Sequence, residues 1–355
     1  MSISRRTFIG TGAAAAAGLT LVPTAAEAAE RLVALGGAPG ILRSKGRPCV
    51  VASANGIRGV AVAYDQIKAG ADPLDAVIAG VNIQELDPED QSVGIGGLPN
   101  EEGVVQLDAS CMHGPTKRAG AVGALEDIAT PSLVAKAIMD YTNHIFLVGA
   151  GAKKFALEMG FKETNLLTEK SRQDWLRWKA NLNANDNWLD HSDDVKIKFT
   201  TGTIPMLGVT AGGDIASVVT TSGLSWKIPG RVGDSGVVGA GQYCDNAVGA
   251  AGSTGRGESN IKICGAYYIV ELMRQGMAPQ QACMKALERV VETTEARLLD
   301  GNGRPKIDLE YYAVAKDGSY GASTMYEGRK FAVCDANGAR LEECAYLYRK
   351  ELRPK

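Results

Sequence analysis

Histidine is almost missing from this chain: three residues in 355, at positions 113, 144 and 191, and none beyond. There is no H-E-x-x-H, no H-x-H and no C-x-x-C. The usual zinc-ligand spacings are therefore absent, and neither a metal nor another cofactor is expected. G-x-S-x-G is missing too, and no imidazole lies beyond residue 191 to serve a Ser-His-Asp triad. A basic excess is also lacking, since 38 Lys and Arg stand against 40 Asp and Glu for a net charge of −2. That argues against a nucleic-acid surface. Beyond the first thirty residues no stretch is long and apolar enough to cross a membrane. Seven cysteines, an odd number, leave at least one unpaired. Most are expected to be small core residues.

What is present suits a soluble globular protein. The chain is 45% hydrophobic and 22% charged, with material for one large domain or two. Glycine is abundant, 43 residues against a usual share of ~7%. There is no G-X-Y period; the glycines cluster at 94–97, 149–151 and 230–257, as at tight turns or close backbone approaches. "MSISRRTFIG", with Arg5 and Arg6, precedes an alanine-rich apolar stretch and "AEAAE". This order reads as a twin-arginine export signal over 1–28, with a periplasmic or secreted product exported already folded. An uncleaved anchor is the alternative.

The mature chain alternates strands and helices. "CVVAS" (49–53) reads as a buried strand, followed by helices at 57–70 and 72–86, the second with an Asp cap and a first-turn Pro. Residues 103–112 and 119–125 read as paired strands, 130–141 as a capped helix, 145–149 as a strand and 152–160 as a helix. "GAGAKK" after that strand lacks the rest of a dinucleotide fingerprint. In the polar run 162–200, "NANDNWLDHSDD" reads as exposed loop. "TIPMLGV" and "DIASVVTTSG" read as a hairpin, 230–257 as glycine-rich loops, 261–276 and 278–299 as two long helices, and 310–325 and 330–335 as antiparallel strands. Interleaved strand and helix pairs suggest sheets packed together and covered by helices.

"KFTTGTIPMLGVT" (198–210) places Thr-Gly-Thr where a polar run meets a core strand. A hydroxyl nucleophile needs a base. One base requires no second side chain: the nucleophile's own α-amine, with a reference pKa of ~7.7–8.0. That solution demands an N-terminal nucleophile. A cut between Gly202 and Thr203 would create one at the start of a strand.

Two longer stretches carry a resemblance. "DPEDQSVGIGGLPNEEGVVQLDAS" and "SGLSWKIPGRVGDSGVVGAGQYCDNAVGAAGSTGRGE" resemble the signature runs of the N-terminal-nucleophile asparaginase superfamily. The likeness covers nearly the whole mature chain. Ser92-Val93-Gly94-Ile95-Gly96, where related isoaspartyl peptidases and plant-type asparaginases carry F-N-A-G, favours the glycosylasparaginase branch. The resemblance implies an α+β fold, a four-layer αββα sandwich, cut into an alpha chain (29–202) and a beta chain (203–355) of one catalytic domain. It implies Thr203 as nucleophile, Thr221 tuning it, and Arg231 and Asp234 holding the substrate's α-carboxylate and α-amine. Thr254 and Gly255 are implied to form the oxyanion hole, and the αβ units to pair as a homodimer around a small asparagine-derived substrate. Bottom-up, Arg and Asp three apart in a glycine-bounded loop can share one pocket, or can simply be a surface ion pair or turn.

Three departures stand out. Ala54 replaces the branch's tryptophan after the first strand, which bears on the leaving group. Gly202 replaces the usual Asp before the nucleophile, as in the asparaginase and isoaspartyl peptidase branch. Pro205 replaces a glycine and should lie where no ladder bond is needed. Three readings follow. One is a glycosylasparaginase-type amidohydrolase. Another is an L-asparaginase or β-aspartyl peptidase with the same chemistry. The third is an unprocessed binding protein that keeps the pocket without freeing Thr203.

Overall fold

The computed structural model describes residues 47–182 and 202–354. The expected export signal and the stretch "NANDNWLDHSDD", read as a loop, lie outside them. β1 (Cys49–Ser53) leads through a one-turn 3-10 helix (Ala54–Gly56) into α1 (Ile57–Lys68) and α2 (Pro73–Glu85). Asp72 caps α2 as expected, its carboxylate accepting from the N–H groups of Leu74 and Asp75 at 2.8 and 3.3 Å. Then come β2 (Leu107–His113), β3 (Arg118–Leu125), α3 (Pro131–Tyr141), β4 (Phe146–Val148), α4 (Gly149–Glu158) and α5 (Glu169–Ala180). The second half runs β5 (Gly202–Val209), β6 (Ile215–Gly223), β7 (Gln242–Asp245), β8 (Gly249–Gly255), α6 (Gly257–Ile261), α7 (Gly265–Arg274) and α8 (Pro279–Thr293). It ends with β9 (Leu309–Ala315), β10 (Tyr320–Tyr326), β11 (Lys330–Asp335), β12 (Gly338–Glu343) and β13 (Ala345–Tyr348).

Eight strands form one sheet, ordered β12-β11-β1-β5-β6-β2-β3-β4, and five form another, β13-β10-β9-β8-β7. Period-two alternation sorts their side chains. Val50, Ala52, Ile204 and Met206 share a core with α1 to α4, whereas Val51, Leu207 and Val209 share one with Ala250, Tyr312 and Val314 of the five-stranded sheet. The opposite face of that second sheet, with Tyr311 and Ala313, packs with α7 and α8.

Several local readings change. Thr130 precedes α3 but makes no side-chain cap bond. The stretch 230–257 is not all loop: it holds β7 and β8, hidden by small residues. A Cβ on Gly252 would lie 2.6 Å from Pro205 Cβ, and one on Gly249 2.4 Å from the Val314 carbonyl, so these glycines mark close backbone approach. The helix expected over 261–276 breaks at Cys264, whose φ is 48°. Polar α5 went unread because only Ser171 and Ala180 are buried. β11 does not join β9 and β10: it pairs with β12 and β1 in the eight-stranded sheet. Six cysteines are buried, Cys264 is exposed, and all seven are free.

Candidate active site

Thr203 sits at the mouth of β5. Residues 203, 205, 207 and 209 alternate onto the face shared with the second sheet, so Thr203 and the Pro205 ring point toward β8. The ladder from β1 ends at Ala52 and Met206, one residue short of Pro205. Across the β5–β6 ladder Thr203 stands opposite Thr221. The register then slips, pairing Gly202 with Gly223 and leaving Ser222 as a bulge. Ser222 turns its N–H and hydroxyl to the Ser92 carbonyl at 2.8 and 3.0 Å. A Cβ on Gly202 would lie 1.6 Å from Ser92 Cβ. Glycine is therefore required at 202 for room beside the Ser92 loop.

Thr221 is the hub. Its hydroxyl donates to the Gly202 carbonyl at 2.6 Å, accepts from the Thr203 hydroxyl at 3.0 Å, and accepts from the Gly223 N–H at 2.9 Å. One donor and two acceptor sites are all used. Ser53 Oγ donates to the Thr203 carbonyl at 3.1 Å. Ala54 follows it in the 3-10 turn.

A pocket opens beside Thr203 and Thr221, lined also by Leu224, Arg231, Asp234 and Gly255. Arg231 does not pair with Asp234. Its Nε and Nη2 donate to Glu258 Oε1 at 3.0 and 2.8 Å, while Nη1 lies toward Gly223 and Gly233. Glu258, despite the cost of its burial, is held below the usual carboxylate range by Arg231. Asp234 is buried, which raises its pKa. Its Oδ2 accepts from Ser253 Oγ and Asn260 Nδ2, both at 2.7 Å. Asn260 is fixed in turn by the Tyr311 hydroxyl at 2.7 Å. Asp108 of β2 accepts from the Gly233 N–H at 2.9 Å, and Gln106 Oε1 from the Gly230 N–H at 2.9 Å. The loop between is thereby tied to the eight-stranded sheet.

Gly255 ends β8 with φ +114°, and a Cβ there would lie 2.5 Å from the Asp308 carbonyl. Only glycine can stand in that wall. Thr254, one residue earlier, engages Tyr312 Oη at 2.9 Å. Among the described residues no cluster of His, Cys, Asp and Glu could hold a metal, and no helix is long and apolar enough to cross a membrane.

The pocket thus gathers Thr203, Thr221, Arg231, Asp234 and Gly255, with Gly202 and Thr254 as chain neighbours. Sequence reasoning missed Glu258, Asn260, Asp108 and Tyr312. These hold the pocket residues through contacts far apart in the chain, and no local motif announces them.

A family model described as asparaginase matches residues 28–299. An N(4)-(beta-N-acetylglucosaminyl)-L-asparaginase of Elizabethkingia miricola is 40% identical over 301 residues, 84% of this chain and 85% of its own length. The enzyme of that name from Mus musculus is 36% identical over 252 residues, 64% of this chain and 72% of its own. An isoaspartyl peptidase/L-asparaginase of Xenopus laevis is 37% identical over 228 residues, 63% and 71% of the two chains. With most of its length matched by the family model, the chain belongs to the asparaginase family.

Proposed function

We propose that this protein is an amidohydrolase that frees Thr203 by cutting its own chain, then hydrolyses the side-chain amide of an asparagine derivative with free α-amino and α-carboxyl groups. The observation that carries this reading is the Thr221 hydroxyl, bonded at once to the Thr203 hydroxyl and the Gly202 carbonyl. It polarises the carbonyl to be attacked while holding the attacking oxygen. In the first stage Thr203 Oγ bonds to the Gly202 carbonyl carbon, the Gly202–Thr203 C–N bond breaks, and the hydroxyl proton passes to the leaving nitrogen. Water cleaves the resulting ester, restoring the hydroxyl and leaving a free α-amine. In the second stage that amine takes the Thr203 proton as the hydroxyl attacks the substrate amide. The leaving amine departs with a proton, and water releases the acyl group. The Thr254 hydroxyl and Gly255 N–H receive the oxyanion. Arg231, aligned by Glu258, takes the α-carboxylate; Asp234, which lines the pocket, takes the α-amine.

Supporting a four-layer αββα order are the core shared by the two sheets and the helix-packed cores outside each. We further propose export by the N-terminal signal to the periplasm or beyond, removal of residues 1–28, and pairing of αβ units as a homodimer. The test is a denaturing gel with N-terminal sequencing, then a panel of glycosyl-asparagine, asparagine and β-aspartyl dipeptides. One uncut chain that hydrolyses any of them refutes the mechanism; a cut chain that hydrolyses none refutes the substrate class. A β-aspartyl peptidase or L-asparaginase is the second reading. Gly202 before the nucleophile and Ala54 in place of a tryptophan favour it.

A further inference from the structure

Behind Thr254 lies a chain of hydroxyls ending on a carboxylate. Thr254 and Glu310 are directly opposed on β8 and β9. Tyr312, two residues on along the same face, reaches back between them. Its Oη is 2.9 Å from Thr254 Oγ1 and donates to Glu310 Oε2 at 2.8 Å. Either hydroxyl of the Thr254–Tyr312 pair can be the donor. Glu310 Oε1 faces Arg329 Nε at 3.3 Å. Arg329 also holds Asp308 at 2.6 Å, and Arg353 reaches the same Asp308 oxygen at 3.1 Å.

Each hydroxyl in this chain has one proton. An ionised Glu310 only accepts, so Tyr312 must donate to it. Tyr312 is then left as an acceptor, and the Thr254 proton turns toward it, away from the pocket. A protonated Glu310 can donate to Tyr312 instead. Tyr312 then donates to Thr254, whose own proton is released for a group in the pocket. We infer that Tyr312 and Glu310 are positioning residues that set the direction of the Thr254 hydroxyl proton, so that Thr254 donates to the oxyanion best when Glu310 carries a proton. The inference rests on the proposed role of Thr254 in the oxyanion hole.

The groups around Glu310 decide whether it can switch. Burial raises its pKa to about 7, with Arg329 and Arg353 opposing and Asp308 reinforcing that rise. Burial pushes Tyr312 far above its ordinary range and Cys344, the other titratable group beside it, well up as a thiol. Both stay protonated near neutral pH, so Glu310 is the switching member. Turning the Thr254 proton outward against an ionised Glu310 forfeits one neutral hydrogen bond, which corresponds to roughly a two- to twelvefold change in rate.

The test measures kcat of the processed enzyme against pH with L-aspartic acid β-(para-nitroanilide), for wild type, Glu310→Gln, Tyr312→Phe and Thr254→Val. Glu310→Gln presents its amide oxygen to Arg329 and its N–H to Tyr312, which fixes the chain in the acid arrangement. Tyr312→Phe removes the acceptor that captures the Thr254 proton. Dividing each variant by wild type cancels the titration of the Thr203 α-amine. The expected result is a ratio that rises roughly two- to twelvefold as pH passes the Glu310 transition and then levels, in both variants. A flat ratio in both overturns the inference; if Thr254→Val still lowers kcat, the oxyanion reading survives it. A Thr254→Val enzyme with wild-type kcat removes Thr254 from the oxyanion hole and the relay with it. Should either variant fail to fold, the wild-type profile decides. It must fall to a lower plateau on the alkaline side, and a profile with no such step rejects the relay.

Discussion

The pocket depends on atoms that a single methyl group or a single nitrogen can spoil. Gly202→Ala puts a Cβ against Ser92, so the Gly202 carbonyl must leave the Thr221 hydroxyl. A denaturing gel should show this variant stalled as one chain; a freely cut variant would refute the crowding argument. Thr203→Ala should stay whole and hydrolyse nothing. Arg231→Lys replaces a fork aligned by Glu258 with a mobile point charge. We expect kcat/KM to fall roughly tenfold to hundredfold, the scale of a hydrogen bond to a charged group. Substrates with a blocked α-carboxylate should not distinguish the variant from wild type. If Arg231→Lys is silent on free substrates, the guanidinium is structural and binds nothing.

Among the elements, α2 carries an unusual load at its C-terminal end. Glu85 is fully buried, and no cation among the described residues pairs with it. It accepts from Thr220 Oγ1 at 2.6 Å, from Ser132 Oγ at 2.8 Å and from the Ser132 N–H at 3.2 Å. Burial outweighs those bonds and raises its pKa from 4.5 to about 7. A carboxyl whose folded pKa is raised binds more protons in the native state. Its stabilising contribution is complete below 4.5 and is lost as pH climbs through about 7. Glu85→Gln lacks that titration, so its stability relative to wild type, followed by urea denaturation, should increase across this window. A constant difference would show that Glu85 does not titrate there. Such a residue illustrates what the sequence conceals. The β5–β6 hairpin and α2 were legible because alternation, an Asp cap and a first-turn Pro are local signals. β7 and β8 were not, since their glycines report contact with Pro205 and Val314 from distant strands. The pocket residues were legible through resemblance, but Glu258, Asn260 and Glu85 act through partners 27, 26 and 135 positions away.

For the whole molecule, the proposed cut falls between strands that the eight-stranded sheet shuffles together. β1, β2, β3 and β4 precede it; β5, β6, β11 and β12 follow it. In the sheet β1 lies between β11 and β5, and β6 lies on β2. Parting the two pieces would break three ladders and open the cores on both faces. The pieces should therefore co-elute on size exclusion in native buffer and separate only in denaturant; separation without denaturant would contradict the strand order. The position of β1 has a further consequence for the time at which the enzyme can mature. One of its two neighbours, β11, is made only after β2 to β10, so the sheet that aligns Thr203 cannot close before β11 has been synthesised. Chain cleavage would then report that β11 has been made and docked, and a product truncated before β11 would keep Thr203 locked in an ordinary peptide bond.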